Sequence, residues 1–280
     1  MRKIETKIIT EVVRELFLEA NSTLPRDLEC AIRSAAETES SPLAREALRV
    51  IADNLDEAKK YDIPICQDTG MAILLAEIGN EVFIDGDFEA AVNEGVSLAY
   101  FDGRLRCSVV SDPLFDRKNT ENNTPAIIYT RIARGDKIKL TALPKGFGSE
   151  NKSRIRMFNP SASPDDIVDF VVETVRLAGS MPCPPLVVGV GIGGSFDYAA
   201  FLSKKALARD ILQRNPDARY AQLEARMLDK INGLGIGVQG FGGKTTALAV
   251  NIENYPTHIA GLPVAVNISC HVTRHALKVL

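Results

Sequence analysis

The sequence predicts an α/β protein, with a helix-rich N-terminal part over residues 1–60 and a mixed α/β core over residues 61–280. Three observations carry that prediction. Apolar residues recur at helical spacing through the first hundred residues. From residue 126 onward, β-like runs alternate with helical ones. Glycines gather in three clusters, around residues 146, 191 and 242. No linker, internal repeat or low-complexity tract divides the chain, so residues 1–280 read as a single domain.

Element by element, Ile4, Ile8, Ile9, Val12, Val13, Leu16 and Phe17 fall on one face of a helix over residues 4–20. Pro25 opens a second helix. Ser41-Pro42 opens a third, with serine as N-cap and proline in the first turn, ending near Lys60. Met71–Ile78 reads as a strand and Phe88–Tyr100 as a helix, followed by a long polar connection over 102–125 that includes a β-like run, Arg106–Val110. Ala126–Ile132 and Lys137–Leu143 are β-like and flank Arg134-Gly135-Asp136, which predicts a hairpin. Ser163-Pro164-Asp165-Asp166 starts a helix that runs to about Leu177. Leu186–Val190 is a buried-type strand, helices follow over 195–209 and 216–231, and 246–252 and 263–268 are β-like.

Composition excludes several classes. Lysine and arginine number 33 against 36 acidic residues, for a net charge of −3, so no basic field points to nucleic acid. No apolar run approaches the ~20 residues needed to span a bilayer. Met1-Arg2-Lys3-Ile4-Glu5 leads into an amphipathic pattern unlike a secretory signal, so a cytoplasmic location is expected. The five cysteines are an odd count in a chain too long to need disulfide staples, and they read as thiols.

The glycine clusters are Lys145-Gly146-Phe147-Gly148-Ser149-Glu150-Asn151, Gly189-Val190-Gly191-Ile192-Gly193-Gly194-Ser195 and Gly240-Phe241-Gly242-Gly243-Lys244-Thr245-Thr246. Each is either a tight turn needed for packing or a set of backbone N–H groups able to bind an anion, and three in one chain favour an anion site. Gly189, Gly191 and Gly194 also satisfy the dinucleotide fingerprint after a strand and before a helix. That fingerprint requires an acid at the end of a second strand about 20 residues on, whereas Asp210 falls in or just after a helix. Val238 stands where a phosphate loop of the Walker type needs glycine, so Gly243-Lys244-Thr245 is not one.

Cys66, Cys183 and Cys270 lie at the ends of elements, in polar or proline-stiffened loops that a metal could reach. Pro184 biases Cys183 toward an extended backbone. Cys30, inside a helix, and Cys107, in a β-like run, read as packing residues. The spacing of the cysteines matches no local metal motif.

At these residues the sequence resembles the class I, iron–sulfur-dependent fumarate hydratases and the related L-tartrate dehydratases. The matching segments are Cys66-Gln67-Asp68-Thr69-Gly70, the cluster at 145–151, Gly191-Ile192-Gly193-Gly194-Ser195, Gly242-Gly243-Lys244-Thr245-Thr246-Ala247-Leu248, and the run from Pro256-Thr257-His258 to Asn267. They keep the family's order from about residue 60 to the C-terminus.

The resemblance implies an α/β core carrying a 4Fe–4S cluster, with Cys66, Cys183 and Cys270 as ligands and one iron left open. It implies that Gln67, Arg106 and Gly148 bind substrate, Arg106 through a carboxylate, and that Asp68 and His258 are catalytic. Phe147 is expected to narrow the pocket. In the family a second half supplies further carboxylate-binding and proton-transfer groups. This chain ends ten residues after Cys270, so it resembles an alpha subunit that works with a beta subunit, expected as alpha2-beta2. The implied activity is reversible hydration of fumarate to (S)-malate. The alternative within the family is dehydration of L-tartrate to oxaloacetate, and the alternative outside it is a dinucleotide-binding module.

Overall fold

The computed structural model describes every residue from Met1 to Leu280 and is a mixed α/β structure. In chain order its elements are β1 (Arg2–Glu5), α1 (Thr6–Ser22), α2 (Arg26–Thr38), α3 (Pro42–Tyr61), β2 (Ile73–Gly79), β3 (Val82–Asp85), α4 (Phe88–Asp102), β4 (Ile127–Ala133) and β5 (Ile138–Ala142). There follow α5 (Phe147–Glu150), β6 (Arg154–Phe158), α6 (Pro164–Ala178), β7 (Leu186–Gly193), α7 (Phe196–Ala206), α8 (Ala218–Asn232), β8 (Ala247–Tyr255), β9 (Leu262–Ser269) and β10 (Ala276–Val279). Two compact units result. One comprises Met1–Pro25, Leu55–Phe147 and Arg274–Leu280, and the other Arg26–Asn54 and Gly148–Thr273.

In the first unit, α1 buries Ile9, Val12, Val13, Leu16 and Phe17 of the stripe read from the sequence, together with Ala20, whereas Ile8 is exposed on the helix's outer side. It packs against Val92, Val96 and Ala99 of α4. The helices approach closely because Gly95 has no side chain: a Cβ there would lie 2.6 Å from the Thr10 carbonyl oxygen. Burying a side chain such as Phe17 contributes about 1.5–3 kcal/mol. Ile4 belongs to the short strand β1, which pairs in parallel with β3, and not to the helix.

The four-stranded sheet of this unit has the order β10-β5-β2-β4. The predicted hairpin over Arg134-Gly135-Asp136 is therefore corrected. β4 and β5 do not pair with each other, because β2 lies between them, parallel to β4 and antiparallel to β5. The 134–136 turn passes around the end of β2 and is tied there: Asn80 Oδ1 accepts from Gly135 N–H at 3.0 Å, and Glu81 N–H donates to the Gly135 carbonyl at 2.9 Å. The β-like run Arg106–Val110 forms no strand and makes a single bridge, Val110 to Asn119.

The second unit is built on a sheet of order β6-β9-β7-β8. β7 and β8 run parallel, with α7 and α8 between them in sequence, and β9 lies antiparallel to β7. β7 is buried along its whole length, as its apolar run suggested. α6 begins with the expected capping box, Ser163 with Asp166, and buries Val168, Val171 and Val175. α7 ends at Ala206, three residues short of the expected end.

Candidate functional site

The loop from Cys66 to Gly70 is held from inside the first unit by its carbonyl groups. Arg274 Nη2 donates to the Asp68 carbonyl. The Tyr100 hydroxyl lies 2.8 Å from the Thr69 carbonyl oxygen and 2.7 Å from that of Gly70, and Asn123 Nδ2 donates to the Gly70 carbonyl at 3.2 Å. Burial pushes the Tyr100 hydroxyl well above its ordinary pKa, so it remains a proton donor; the Arg274 charge acts in the opposite direction. Gly70 has φ +81°, and a Cβ would lie 2.8 Å from the Lys145 backbone, so only glycine allows this turn.

The polar connection joins the same loop. Thr69 Oγ1 donates to the Arg106 carbonyl at 3.0 Å, while Asn123 Oδ1 accepts from Ser108 N–H at 2.7 Å. Gln67 and Arg106 are exposed, and Cys66 and Asp68 half-buried. The Asp68 carboxylate is engaged: Oδ1 accepts from Gly70 N–H at 3.1 Å and Oδ2 from Phe147 N–H at 2.9 Å. The structure thus brings Cys66, Gln67, Asp68 and Arg106 onto one held stretch.

Cys183 and Cys270 belong to the second unit. Cys183 departs from the expected extended backbone and has φ +56°. Its N–H donates to the Ser180 carbonyl at 3.0 Å, and its carbonyl accepts from His271 N–H at 3.3 Å. Those two bonds hold a conformation that costs a non-glycine residue on the order of 1–3 kcal/mol. Gln239, also at positive φ, donates through Nε2 to the Pro184 carbonyl at 2.7 Å and lies 3.3 Å from His271 Nδ1. The two cysteine-bearing segments are therefore tied directly at residues 183 and 271. Cys183 is exposed and Cys270 half-buried, and none of the five cysteines is in a disulfide.

Of the cysteines read as packing residues, Cys107 does pack against the first core, and burial raises its thiol pKa. Cys30 is exposed on α2, so its packing role is corrected: it sits on the solvent face.

The glycine clusters part company. Gly189 and Gly191 lie inside β7, where Cβ atoms would fall 2.0 Å from the Ser203 and Ala199 carbonyl oxygens of α7. They serve close helix–strand packing inside the strand and form no turn after it. In the third cluster the anion is already supplied by the chain. Glu39, 0% exposed, accepts from Lys244 N–H at 3.2 Å, from Thr245 N–H at 3.0 Å and from the Thr245 hydroxyl at 2.7 Å. Burial alone would raise the Glu39 pKa, but these bonds, with the Ser40 and Ser41 N–H groups, hold it at about 2. The anion-site reading of this loop is therefore corrected to an internal carboxylate cradle.

His258 is exposed at the carboxyl ends of the parallel pair β7 and β8, where ligands of open α/β sheets bind. Thr257 Oγ1 donates to the Gly194 carbonyl at 2.8 Å, joining the turns after the two strands. His258 Nδ1 accepts from Ala260 N–H at 3.1 Å, which leaves Nε2 to carry the ring proton. Ser195, Tyr198, Tyr255 and His258 line a cleft of about 400 Å³. Gly148 is exposed, and a Cβ on it would meet nothing within 4 Å.

Against known proteins, the family described as fumarate hydratase (fumerase) matches residues 10–279. The chain belongs to the iron–sulfur fumarate hydratase family. A Methanocaldococcus jannaschii protein, assigned provisionally as an L(+)-tartrate dehydratase alpha subunit, is 42% identical over 275 residues, covering 96% of each chain. The L(+)-tartrate dehydratase alpha subunits of Escherichia coli O157:H7 and K12 are each 30% identical over 270 residues, covering 95% of this chain and 88% of theirs. Membership makes the chain part of a hydro-lyase family that uses an iron–sulfur cluster and whose relatives are named as alpha subunits.

The structure gathers no three His, Cys, Asp or Glu side chains around a single ion. A 4Fe–4S cube instead spreads its thiolates over separate irons. The donor chemistry suits it: Cys66, Cys183 and Cys270 are thiols on loops, two of those loops are tied together, and one cysteine has a strained backbone. No helix is long and apolar enough to cross a membrane. Arg274, Tyr100, Asn123 and Glu39 were not singled out in the sequence. Arg274 alone carried a signal, standing four residues after Cys270.

Proposed function

We propose that the chain is the alpha subunit of a two-subunit fumarate hydratase, acting as one domain over residues 1–280 and converting fumarate reversibly to (S)-malate in the cytoplasm. Cys66, Cys183 and Cys270 hold a 4Fe–4S cluster. When bound, that cluster supplies a Lewis-acidic iron free of protein thiolate. The observation that carries the reading is the Thr69 hydroxyl bond to the Arg106 carbonyl, which fastens a guanidinium-bearing segment to the Cys66-Gln67-Asp68 loop. Arg106 pairs with one substrate carboxylate, for which a planar guanidinium is suited. Gln67 orients the substrate, and Gly148 leaves room for it beside Phe147. Asp68 and His258 are the acid–base groups, Asp68 on the loop that carries Cys66 and His258 on the rim of the cleft lined by Ser195, Tyr198 and Tyr255.

A dicarboxylate has two anionic ends, and an unpaired carboxylate buried in a pocket costs several kcal/mol, on the order of a broken buried ion pair. A beta subunit supplies the second set of cations, most simply in an alpha2-beta2 assembly. Dehydration of L-tartrate is the second reading, favoured by the names of the relatives above. Malate and tartrate differ by one hydroxyl, so polar groups around the substrate decide between them.

The test is to load the chain anaerobically with iron and sulfide, add its beta partner and assay both substrates. Activity should rise from nearly nothing to enzymatic rates on mixing, with fumarate the better substrate by kcat/KM. A preference for L-tartrate selects the second reading. A colourless, iron-free chain that binds NAD overturns both.

A further inference from the structure

Arg274 is buried beside the Cys66 loop with most of its donors unmet. It is 3% exposed, yet its Nε and Nη1 hydrogens have no hydrogen-bond partner. A buried guanidinium is costly unless its donors are met, and an arginine kept only for the fold would be paired. Its third nitrogen, Nη2, instead donates to a single backbone atom, the Asp68 carbonyl oxygen. The neighbouring carbonyls of Thr69 and Gly70 share the Tyr100 hydroxyl proton, and Gly70 also has Asn123. Arg274 thus fastens the loop at Asp68, between the two residues proposed to face substrate and the glycine turn behind them. It comes from the segment just before β10, far along the chain, so it fixes the loop against the sheet and not merely against itself.

We infer that Arg274 is the positioning residue of the Cys66–Gly70 loop: through its bond to the Asp68 carbonyl it sets where Cys66, Gln67 and Asp68 point. It touches no substrate and acts through the loop. The consequence for catalysis rests on the function proposed above, but the positioning itself does not, so the two can fail separately.

The test begins with the full-length, cluster-free chain, by hydrogen exchange resolved to residues 66–71. Arg274→Ala should raise exchange of those amides about tenfold or more, because a loop released from its anchor opens locally. Millimolar guanidinium chloride should restore protection in that variant, and an equal concentration of sodium chloride should not. Arg274→Lys, which keeps a cation if the alanine variant fails to fold, should give intermediate protection. Lys278→Ala, which breaks only the surface pair with Glu15 from the same C-terminal segment, should leave the loop unchanged. Amides of β5 should keep their protection throughout.

Unchanged exchange at 66–71 in Arg274→Ala or Arg274→Lys, or loss spread equally over β5, would overturn the inference and make Arg274 a structural residue. In the loaded protein the same variants should release iron to a chelator several-fold faster than wild type. A wild-type chain that takes up no iron would defeat the proposed function and leave the exchange result standing.

Discussion

Two loops of this molecule share the same sequence signal, glycine beside small polar residues, and are stabilised in opposite ways. In the loop at 66–70 the protein captures carbonyl oxygens, using Arg274, Tyr100 and Asn123. In the loop at 242–246 it captures N–H groups, using the buried carboxylate of Glu39. A loop whose N–H groups surround an internal anion is closed to an outside one, so its glycines answer to packing: Gly243 has φ +99°, and a Cβ there would lie 2.8 Å from Glu39 Oε1. The loop held by its carbonyls exposes Gln67 and leaves Cys66 and Asp68 half-buried, while Thr69 turns inward to the Arg106 carbonyl. The loop around Glu39 builds the fold, and the carbonyl-held loop presents groups.

The sharpest break of that comparison is at the thiol. Cys66→Ser should abolish retention of the iron–sulfur chromophore, with the same outcome for Cys183→Ser and Cys270→Ser, while the thermal midpoint of the cluster-free chain stays near wild type. Cys30→Ser and Cys107→Ser should keep the chromophore, since Cys30 sits on the face of a helix and the Cys107 thiol is held protonated by burial. Bleaching by Cys107→Ser with colour retained in Cys183→Ser would require a different ligand set.

The second break is at Glu39, and its effect should fall on stability. Its pKa is about 2 in the folded chain against an ordinary 4.5. A depressed carboxylate contributes stability that is present above the ordinary value and lost as pH falls toward the folded one, here between about 4.5 and 2. The contribution at neutral pH is at most about 3 kcal/mol. Glu39→Gln should therefore lower unfolding free energy by about 2–3 kcal/mol at pH 7 and flatten the acid limb of the stability curve, as urea titrations at several pH values would read. Iron retention should be untouched. A Glu39→Gln chain as stable as wild type at neutral pH would mean that the loop does not depend on the carboxylate.

Most helices were legible because their signals are local. The stripe from Ile9 to Phe17, Ser163 with Asp166, and Ser41-Pro42 each place an element within a few residues. The short strands β1, β3, β6 and β10 offered too few alternations to register, whereas β5, equally short, lies in a longer β-like run over 137–143. The false hairpin at 134–136 has a different cause. Turn chemistry reports only that the chain reverses, and whether a third strand enters between the arms is decided by pairing partners more than fifty residues away. The site divides in the same way. Cys66, Gln67, Asp68 and His258 were reached through the resemblance of short runs of sequence to the family. Arg274, Tyr100 and Asn123 were not, because each is defined by a backbone carbonyl that it reaches across the fold. Glu39 looked like an ordinary acid between two helices.

The smallest expected effect separates the two kinds of glycine. Gly148 lies in the cluster after Lys145, where a Cβ meets nothing within 4 Å and the backbone is not left-handed. Gly148→Ala should therefore change stability by no more than about 0.5 kcal/mol, the range of a surface substitution. Gly243→Ala meets both a positive φ and the Glu39 carboxylate, and should cost about 1–3 kcal/mol. If Gly148 borders the substrate, its methyl group enters space the fold leaves open, and the consequence should be kinetic: KM for the dicarboxylate should rise several-fold in the assembled enzyme, with an unchanged thermal midpoint. That split is what a presenting loop predicts and a packing loop does not. Equal KM in Gly148→Ala and wild type would put Gly148 outside the substrate's reach and return this glycine, like Gly189 and Gly191, to the service of the backbone.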